Sequence, residues 1–394
     1  MSGPPAVLFR ILAVLSIPLL GLALFVTLRL SLADYLARRG DLGSLNRAIS
    51  LVPDHAGYYL RRAELSLETA SSDLRRAAEL RPRDAAPWVG LALLAESRGR
   101  IEEAESHLLH AARLDASFLP RWSLVNFYFR QQKWDSFWEW AARAARIYHG
   151  DLTALYQVCV RAGGSAQEIL DKVAPDRPKA HRELLVVFTE DKRYPDAIPA
   201  ALALLSHHRA GDTRFILNLS DRLLAIGQTE AALDLWNRLA HASLIPHAEL
   251  DPPRGRSLTN ADFQVQPSGM AFDWRLREIE GVRLGPGYRP GLEIRFSGRQ
   301  PAESVLASQT LPVMGGRRYC LRWKAEAELS GAAPRWRIGD RTAALAEPEG
   351  ELEFLAPAEA SALNLELVTL AEPGTTRAEG TLRLHSLRLQ PATD

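Results

Sequence analysis

The sequence predicts an α-helical repeat solenoid followed by an all-β sandwich, with one apolar helix in front of both. Three observations carry this reading. A spaced apolar code recurs after 34 residues, from Trp88 to Trp122. Beyond residue 256 the texture changes to short alternating segments separated by glycine and proline. Residues 11–28 hold no charge at all.

The apolar run comes first. As a helix it spans roughly 27 Å, close to the hydrocarbon thickness of a bilayer. Arg10 precedes it, Arg29 follows, and Ser31 with Ala33 offers a small-x-small cleavage pattern. The run is longer than a usual signal-peptide core and continues helically into Leu32, Ala33 and Leu36, so an uncleaved anchor over residues 1–31 is expected, with membrane contact through 11–28. Positive charge on the body side (Arg29, Arg38, Arg39, Arg47) argues for a cytoplasmic body. Short N-tailed anchors often export the body all the same, and the character of the C-terminal domain favours the outside.

Composition sets outer bounds. At 394 residues, 47% hydrophobic and net charge +1, the chain is long enough for two or three domains with cores of their own. The 48 basic and 47 acidic residues form no block of one sign, so nothing electrostatic points to nucleic acid. Lysine occurs only at 133, 172, 179, 192 and 324, a bias read as the codon usage of a GC-rich bacterium. With a bacterial source the expected membrane is the inner one, and the character of the C-terminal domain sets the expectation of a periplasmic body. Cys159 and Cys320 lack the CxxC spacing of redox or zinc chemistry and read as buried single thiols.

The repeat code reads Trp88, Leu91, Ala92, Ala95, Gly99, Ala104, Leu108, Ala111, and restarts as Trp122, Val125, Asn126, Phe129, Trp138, Ala142, Ala145. Apolar residues recur at helical spacing from Trp88 to Ala95, Gly99 and Arg100 break the run, and a second stripe fills Ile101 to Leu114. This is a helical hairpin whose small alanines let helices approach closely, and whose apolar face must be buried by stacking on a neighbour. The pattern resembles the tetratricopeptide repeat over about half the chain. Reduced units fit Leu32–Pro53 and Tyr58–Pro82. After Tyr148 the periodicity blurs over Leu152–Arg161 and Ala166–Val173. Two further hairpins follow, one on Leu184, Leu185, Phe188, Ala197, Ala201 and Leu204, the other on Leu219, Leu223, Gly227, Ala232, Trp236 and Leu239. The repeat domain is therefore placed at 32–245 and a linker at 246–256. The resemblance implies a groove lined by the first helix of each unit, here Val89, Leu93, Glu96, Ser123, Phe127 and Arg130, open to a protein partner. Phe127, Tyr128, Trp134 and Trp140 exceed what a hairpin core needs, and of these Trp134 and Trp140 weigh equally as surface or as packing.

Strand-like alternation in 257–394 covers Phe272–Arg277, Leu292–Phe296, Val305–Val313, Arg318–Leu329, Arg335–Ile338, Glu351–Leu355, Leu363–Leu370 and Gly380–Leu389. Eight or so strands argue for a jelly-roll sandwich. The opening Leu258–Phe263, the following Phe272–Leu276 and the terminal Leu382–Leu389 resemble carbohydrate-binding-module jelly rolls. That resemblance implies polysaccharide as a second partner. Where many such modules carry an acid for structural calcium, this chain has His385-Ser386. Most aromatics read as core: Tyr319, Leu321, Trp323, Ala325 and Ala327 share one face, Trp336 pairs with Ile338, and Phe272 with Trp274. Tyr288, in the loop from Gly285 to Gly291, remains the candidate glycan contact.

Catalytic motifs are missing: no HExxH, nucleophile elbow, phosphate loop or dinucleotide fingerprint occurs. Glu103, His107 and His110 share a helical face at metal-compatible spacing, but with no further ligand a solvated face is expected. The expectation is a non-catalytic scaffold with no cofactor and no metal, organising polysaccharide assembly or export in the envelope. The rival is a pure protein adaptor whose sandwich is a structural cap.

Overall fold

The computed structural model describes residues 5–286, 291–371 and 374–392, with side chains from residue 16 onward. Fourteen helices precede two antiparallel sheets among these residues. The chain divides into two compact units, residues 1–163 and 175–394, which exchange the short stretch between them.

The first unit opens with α1 (Pro5–Arg38), one helix of 34 residues with two different halves. Ile17, Leu20 and Phe25 are exposed, whereas Ala33 and Ala37 are fully buried against Leu45, Ala48 and Tyr58. The expected membrane helix therefore runs without a break into the first hairpin, which it forms with α2 (Leu42–Leu51). Asp34 accepts a hydrogen bond from the Tyr58 hydroxyl, and burial together with that carboxylate pushes the phenol up to about 12. The hairpins α3 (Ala56–Leu65) with α4 (Leu67–Leu80), α5 (Ala86–Ser97) with α6 (Ile101–Leu114), and α7 (Phe118–Arg130) with α8 (Trp134–Ile147) follow, and α9 (Thr153–Arg161) packs on α7 and α8. The buried Asp73 is held by both nitrogens of a fork from Arg62, so α3 and α4 are joined by a paired charge inside the stack.

Unit two begins with α10 (Ala166–Lys172), then α11 (Pro178–Glu190) with α12 (Ile198–Leu205) and α13 (Thr213–Ala225) with α14 (Thr229–His241). Four hairpins turn in the same way. The residue that closes the first helix takes a left-handed backbone at Gly99, Gln132, Lys192 and Gly227. The next amide then reaches back five positions, Arg100 to Ala95, Lys133 to Tyr128, Arg193 to Phe188 and Gln228 to Leu223, at 2.9–3.0 Å. This C-terminal cap satisfies a carbonyl the helix would otherwise leave open.

The cap fixes the true frame. Counted from it, the buried positions Leu91, Ala92, Ala95, Ala104, Leu108 and Ala111 map onto Leu124, Val125, Tyr128, Phe137, Ala141 and Ala144, a period of 33 residues. The 34-residue spacing of Trp88 and Trp122 is thus one residue too long. Phe137 and Ala141 take the core places expected of Trp138 and Ala142, while Ala144 joins Ala145, which is buried as expected. The same frame recurs in unit two at Leu184, Phe188, Ala197, Ala201 and Leu204, and at Leu219, Leu223, Ala232, Trp236 and Leu239, all buried as expected.

Among the described residues the sandwich holds ten strands: β1 (Arg275–Leu276), β2 (Val282–Pro286), β3 (Leu292–Ser297), β4 (Glu303–Pro312), β5 (Arg318–Ser330), β6 (Arg335–Ile338), β7 (Arg341–Ala344), β8 (Glu349–Leu355), β9 (Ala362–Leu370) and β10 (Glu379–Pro391). One sheet runs β1-β4-β9-β6-β7 and the other β2-β3-β10-β5-β8. Period-two alternation places Tyr319, Leu321, Trp323 and Ala325 in the core with Trp274, Trp336 and Ile338, while Ala327 lies beyond the covered part of β5 and is exposed. The two strands without a sequence expectation, β2 and β7, are short and lie at sheet edges, where alternation has little to bury.

Candidate interaction face of the repeats

Val89, Leu93 and Glu96 lie at i, i+4 and i+7 on α5, one stripe of one helix. Leu93 is 52% exposed, Val89 is half-buried, and the Glu96 side chain is 15% exposed. Glu96 earns its shelter by accepting three hydrogen bonds. Arg130 Nε and Nη2 reach its two oxygens at 2.9 and 2.7 Å, and Gln131 Nε2 donates at 3.1 Å. The bidentate fork ties the middle of one first helix to the end of the next and leaves Leu93 beside a fixed pair of opposite charges.

The one-residue slip changes the α7 side of this face. Each residue turns the helix by 100°, so the stripe that continues Val89, Leu93 and Glu96 is Trp122, Asn126 and Phe129. Phe127, expected to line the groove, is instead fully buried and meets Tyr128 edge-on at a centroid distance of 5.3 Å. It follows Leu94 in the frame, a position turned toward the packing. Ser123 corresponds to Gly90 and spends its hydroxyl on the Leu119 carbonyl. Arg130 stays on the face because its long stem carries the guanidinium back to Glu96. Trp122 stacks on Phe118 at 5.9 Å and the Asn126 amide donates to the Trp122 carbonyl, so the α7 stripe is internally braced.

A second link crosses one repeat on the other helices. Glu105 on α6 accepts from the Tyr128 hydroxyl at 2.9 Å and from Lys133 Nζ at 2.6 Å. Burial first, and the Glu105 carboxylate second, push that phenol far up, so it stays a donor. Trp134 is 42% exposed, and Trp140 lies under the Arg143 guanidinium at 4.6 Å. Glu103, His107 and His110 do not converge as ligands. Glu103 is 2.7 Å from Arg100 and 3.5 Å from His107, while His110 packs edge-on to Trp88 at 4.3 Å. Together they wall a cavity of about 660 Å³ between α4 and α6.

In unit two the last hairpin is fastened to the sandwich. Trp236 is buried between the His247 ring, stacked at 5.5 Å, and Phe272, edge-on at 5.8 Å. Asp221 accepts from the Ala271 amide and from Arg275, and the Ser361 hydroxyl donates to that of Thr229. Asn237 grips Leu250 through both its amide and its carbonyl, at 2.9 and 2.8 Å. Residues 246–256 thus lie along α14, with Leu250 buried. Asp273, fully buried, accepts from the Ser268 and Trp274 amides and faces His247 at 3.4 Å. Burial pushes its carboxyl up, but the bonds from His247 and Ser268 outweigh that and hold it below the usual range.

The open face of the β2-β3-β10-β5-β8 sheet is a lattice of ion pairs. Arg383 and Arg295 hold Glu293, Arg322 holds Glu351, Lys324 holds Glu349, and His385, at the irregularity in β10, meets Glu326 at 3.2 Å. No exposed aromatic ring stands on that sheet among the described residues. Tyr288 lies outside them.

No family model matches the sequence, and no curated protein matches it. Solved structures similar to parts of the chain include YrrB, described as a TPR protein with an unusual peptide-binding site, at 14% identity over 51% of this chain and 93% of that one, TM-score 0.26. PilW, described as a widely conserved type IV pilus biogenesis factor, is 16% identical over 55% of this chain and 93% of its own, TM-score 0.27. The sandwich is similar to a structure described as CBM4, at 16% identity over 34% of this chain and all of the other, TM-score 0.27. Helical repeats and a jelly-roll sandwich are what the chain has in common with them.

Proposed function

We propose that this protein is a membrane-tethered, non-catalytic scaffold that takes a protein partner on the first-helix face of its repeats. The observation that carries the reading is α1. Its bare apolar half is long enough to cross a bilayer, and its last turns are the first helix of the solenoid, so the tether and the binding surface belong to one compact unit. On the face itself, the exposed Leu93 beside the Glu96–Arg130 pair offers an apolar anchor with a polar rim, the mixture that peptide-recognition surfaces use. The body is placed on the outer side of a bacterial inner membrane, in an assembly that handles envelope polysaccharide. Glycan contact would fall to the sandwich, with Tyr288 as the candidate residue.

A second reading is favoured by a specific observation. Trp236, Phe272, Asp221 and Thr229 bind the sandwich to the last hairpin, which suits a structural cap on a pure protein adaptor. A reporter fused at the C-terminus gives the topology, and recovery of the uncleaved chain in the soluble fraction would end the tether reading. Retardation of the intact protein in polysaccharide affinity gels, lost on Tyr288→Ala, supports glycan contact. Free migration through all envelope glycans tried leaves the cap reading.

A further inference from the structure

At the junction of α11 and α12 three potential ligands converge. Asp176 lies just before α11, His181 on its first turn, and His207 just beyond the end of α12. In the repeat frame His181 takes the place of Trp88 and His207 that of Leu114. The corresponding residue to Leu114 in the α7–α8 hairpin is Ile147. The other hairpins carry Trp88, Arg121 and Ile216 at the first place and Leu114, Ile147 and Ala242 at the second, whereas this one sets two imidazoles against each other. Sheltering them costs solvation that an aliphatic pair would not.

The geometry suits coordination. The Nδ1 atom of His181 lies 3.2 Å from the Ala203 carbonyl, which can only accept, so Nδ1 carries the proton and Nε2 presents its lone pair. A backbone carbonyl on the far nitrogen is the usual outer support of a metal-bound histidine. That lone pair is 4.0 Å from Asp176 Oδ1, and His207 Nε2 is 3.5 Å from the same oxygen and 3.1 Å from His181 Nδ1. All three residues bring a donor atom within 4.8 Å of the others. Ligands at about 2.0–2.2 Å from a tetrahedral ion stand about 3.3–3.6 Å apart, a separation that His207 Nε2 and Asp176 Oδ1 already have at 3.5 Å; closing the triangle turns His207 Nε2 from Nδ1 of His181 toward its Nε2, and brings Asp176 Oδ1 in by about half an ångström from 4.0 Å. The carboxylate, 90% exposed on a bend, can supply that movement.

We propose that Asp176, His181 and His207 form a binding site for a first-row divalent cation of the zinc class, clamping the start of α11 to the end of α12. Two imidazoles and one carboxylate select zinc, cobalt, nickel or copper over calcium and magnesium. The side chain of His181 forms the floor, and Asp176 stands at the solvent-facing mouth. A fourth position is left to water.

The test uses the full chain in detergent, with Co²⁺ as the spectroscopic probe. One equivalent of Co²⁺ should produce a visible ligand-field band that Zn²⁺ abolishes. Because His181 is buried, the half-buried His207 and the exposed Asp176 carry the variant arm. His207→Ala and Asp176→Asn should each weaken Co²⁺ binding by more than the roughly 10–100-fold that follows loss of an outer-shell partner, with unchanged far-UV circular dichroism in the absence of metal. A wild-type chain that gives no band at equimolar Co²⁺ overturns the proposal. So does a double variant that binds with wild-type affinity, since the band would then belong to other histidines.

Discussion

Trp236→Ala is the substitution expected to show that the last hairpin and the sandwich stand or fall together. Trp236 is 1% exposed, and it occupies the frame position filled by Ala141 and Ala201 in other hairpins. An alanine there suffices for a hairpin alone; the indole exists to meet Phe272 and His247. Truncating a fully buried tryptophan costs about 3–5 kcal/mol, because the lost transfer energy is joined by the cavity left behind. For a unit of about 220 residues each kcal/mol moves the midpoint by about 2–4 °C, so Tm should fall by about 6–20 °C. Differential scanning calorimetry on the detergent-solubilised chain reads this. Near-UV circular dichroism, dominated in the sandwich by Trp274, Trp323 and Trp336, reports whether the β part melts with the helices. Phe272→Ala, made from the other side of the contact, should lower the same transition, and the double variant should reveal a coupling of about 0.5–1.5 kcal/mol. If the near-UV signal of Trp236→Ala melts at the wild-type temperature while the helical signal melts early, the bracing argument is wrong.

Two further outcomes follow from the same structure. Gln132→Gly should raise the stability of the first unit by about 0.5–1 kcal/mol in urea unfolding, since a side chain at φ +54° is strained and glycine is not; a loss of stability would mean that the cap is misplaced. Asp273 is held below the usual carboxylate range, so its contribution is present above the unfolded pKa of about 4 and disappears as pH falls through the lower folded value. Asp273→Asn should therefore destabilise unit two at pH 7 and flatten its acid dependence below about pH 4; an unchanged acid limb would show that other carboxylates govern it.

Much of the architecture was legible in the chain because burial leaves a period. Leu184, Phe188, Ala197 and Leu204 announced a hairpin by spacing alone, and the alternation from Arg318 to Ala325 announced β5. The register between Trp88 and Trp122 was not legible, because tryptophan stands at different frame positions in the two units. The cap that sets the frame uses Gly99 once but Gln132 next, and glutamine gives no hint of a left-handed backbone. That slip of one residue is why Phe127 was assigned to the surface while Trp122, Asn126 and Phe129 were passed over. The attachment of α13 and α14 to the sandwich could not be foreseen either: Asp221 and Arg275, or Thr229 and Ser361, meet only through the fold. The trio Asp176, His181 and His207 is likewise spread from the loop before α11 to the turn after α12 and matches no motif spacing.

The most direct test of the central claim is site-specific photocrosslinking in native membranes. A benzophenone amino acid placed at Leu93, on the first-helix face, is compared with one at the exposed Ser106 on α6. The account predicts a membrane-fraction adduct of one defined mass from position 93, none from 106, and loss of the adduct when Arg130→Glu breaks the pair with Glu96. Adducts from 106 but not from 93, or an adduct at 93 indifferent to Arg130→Glu, would contradict the assignment of the binding face.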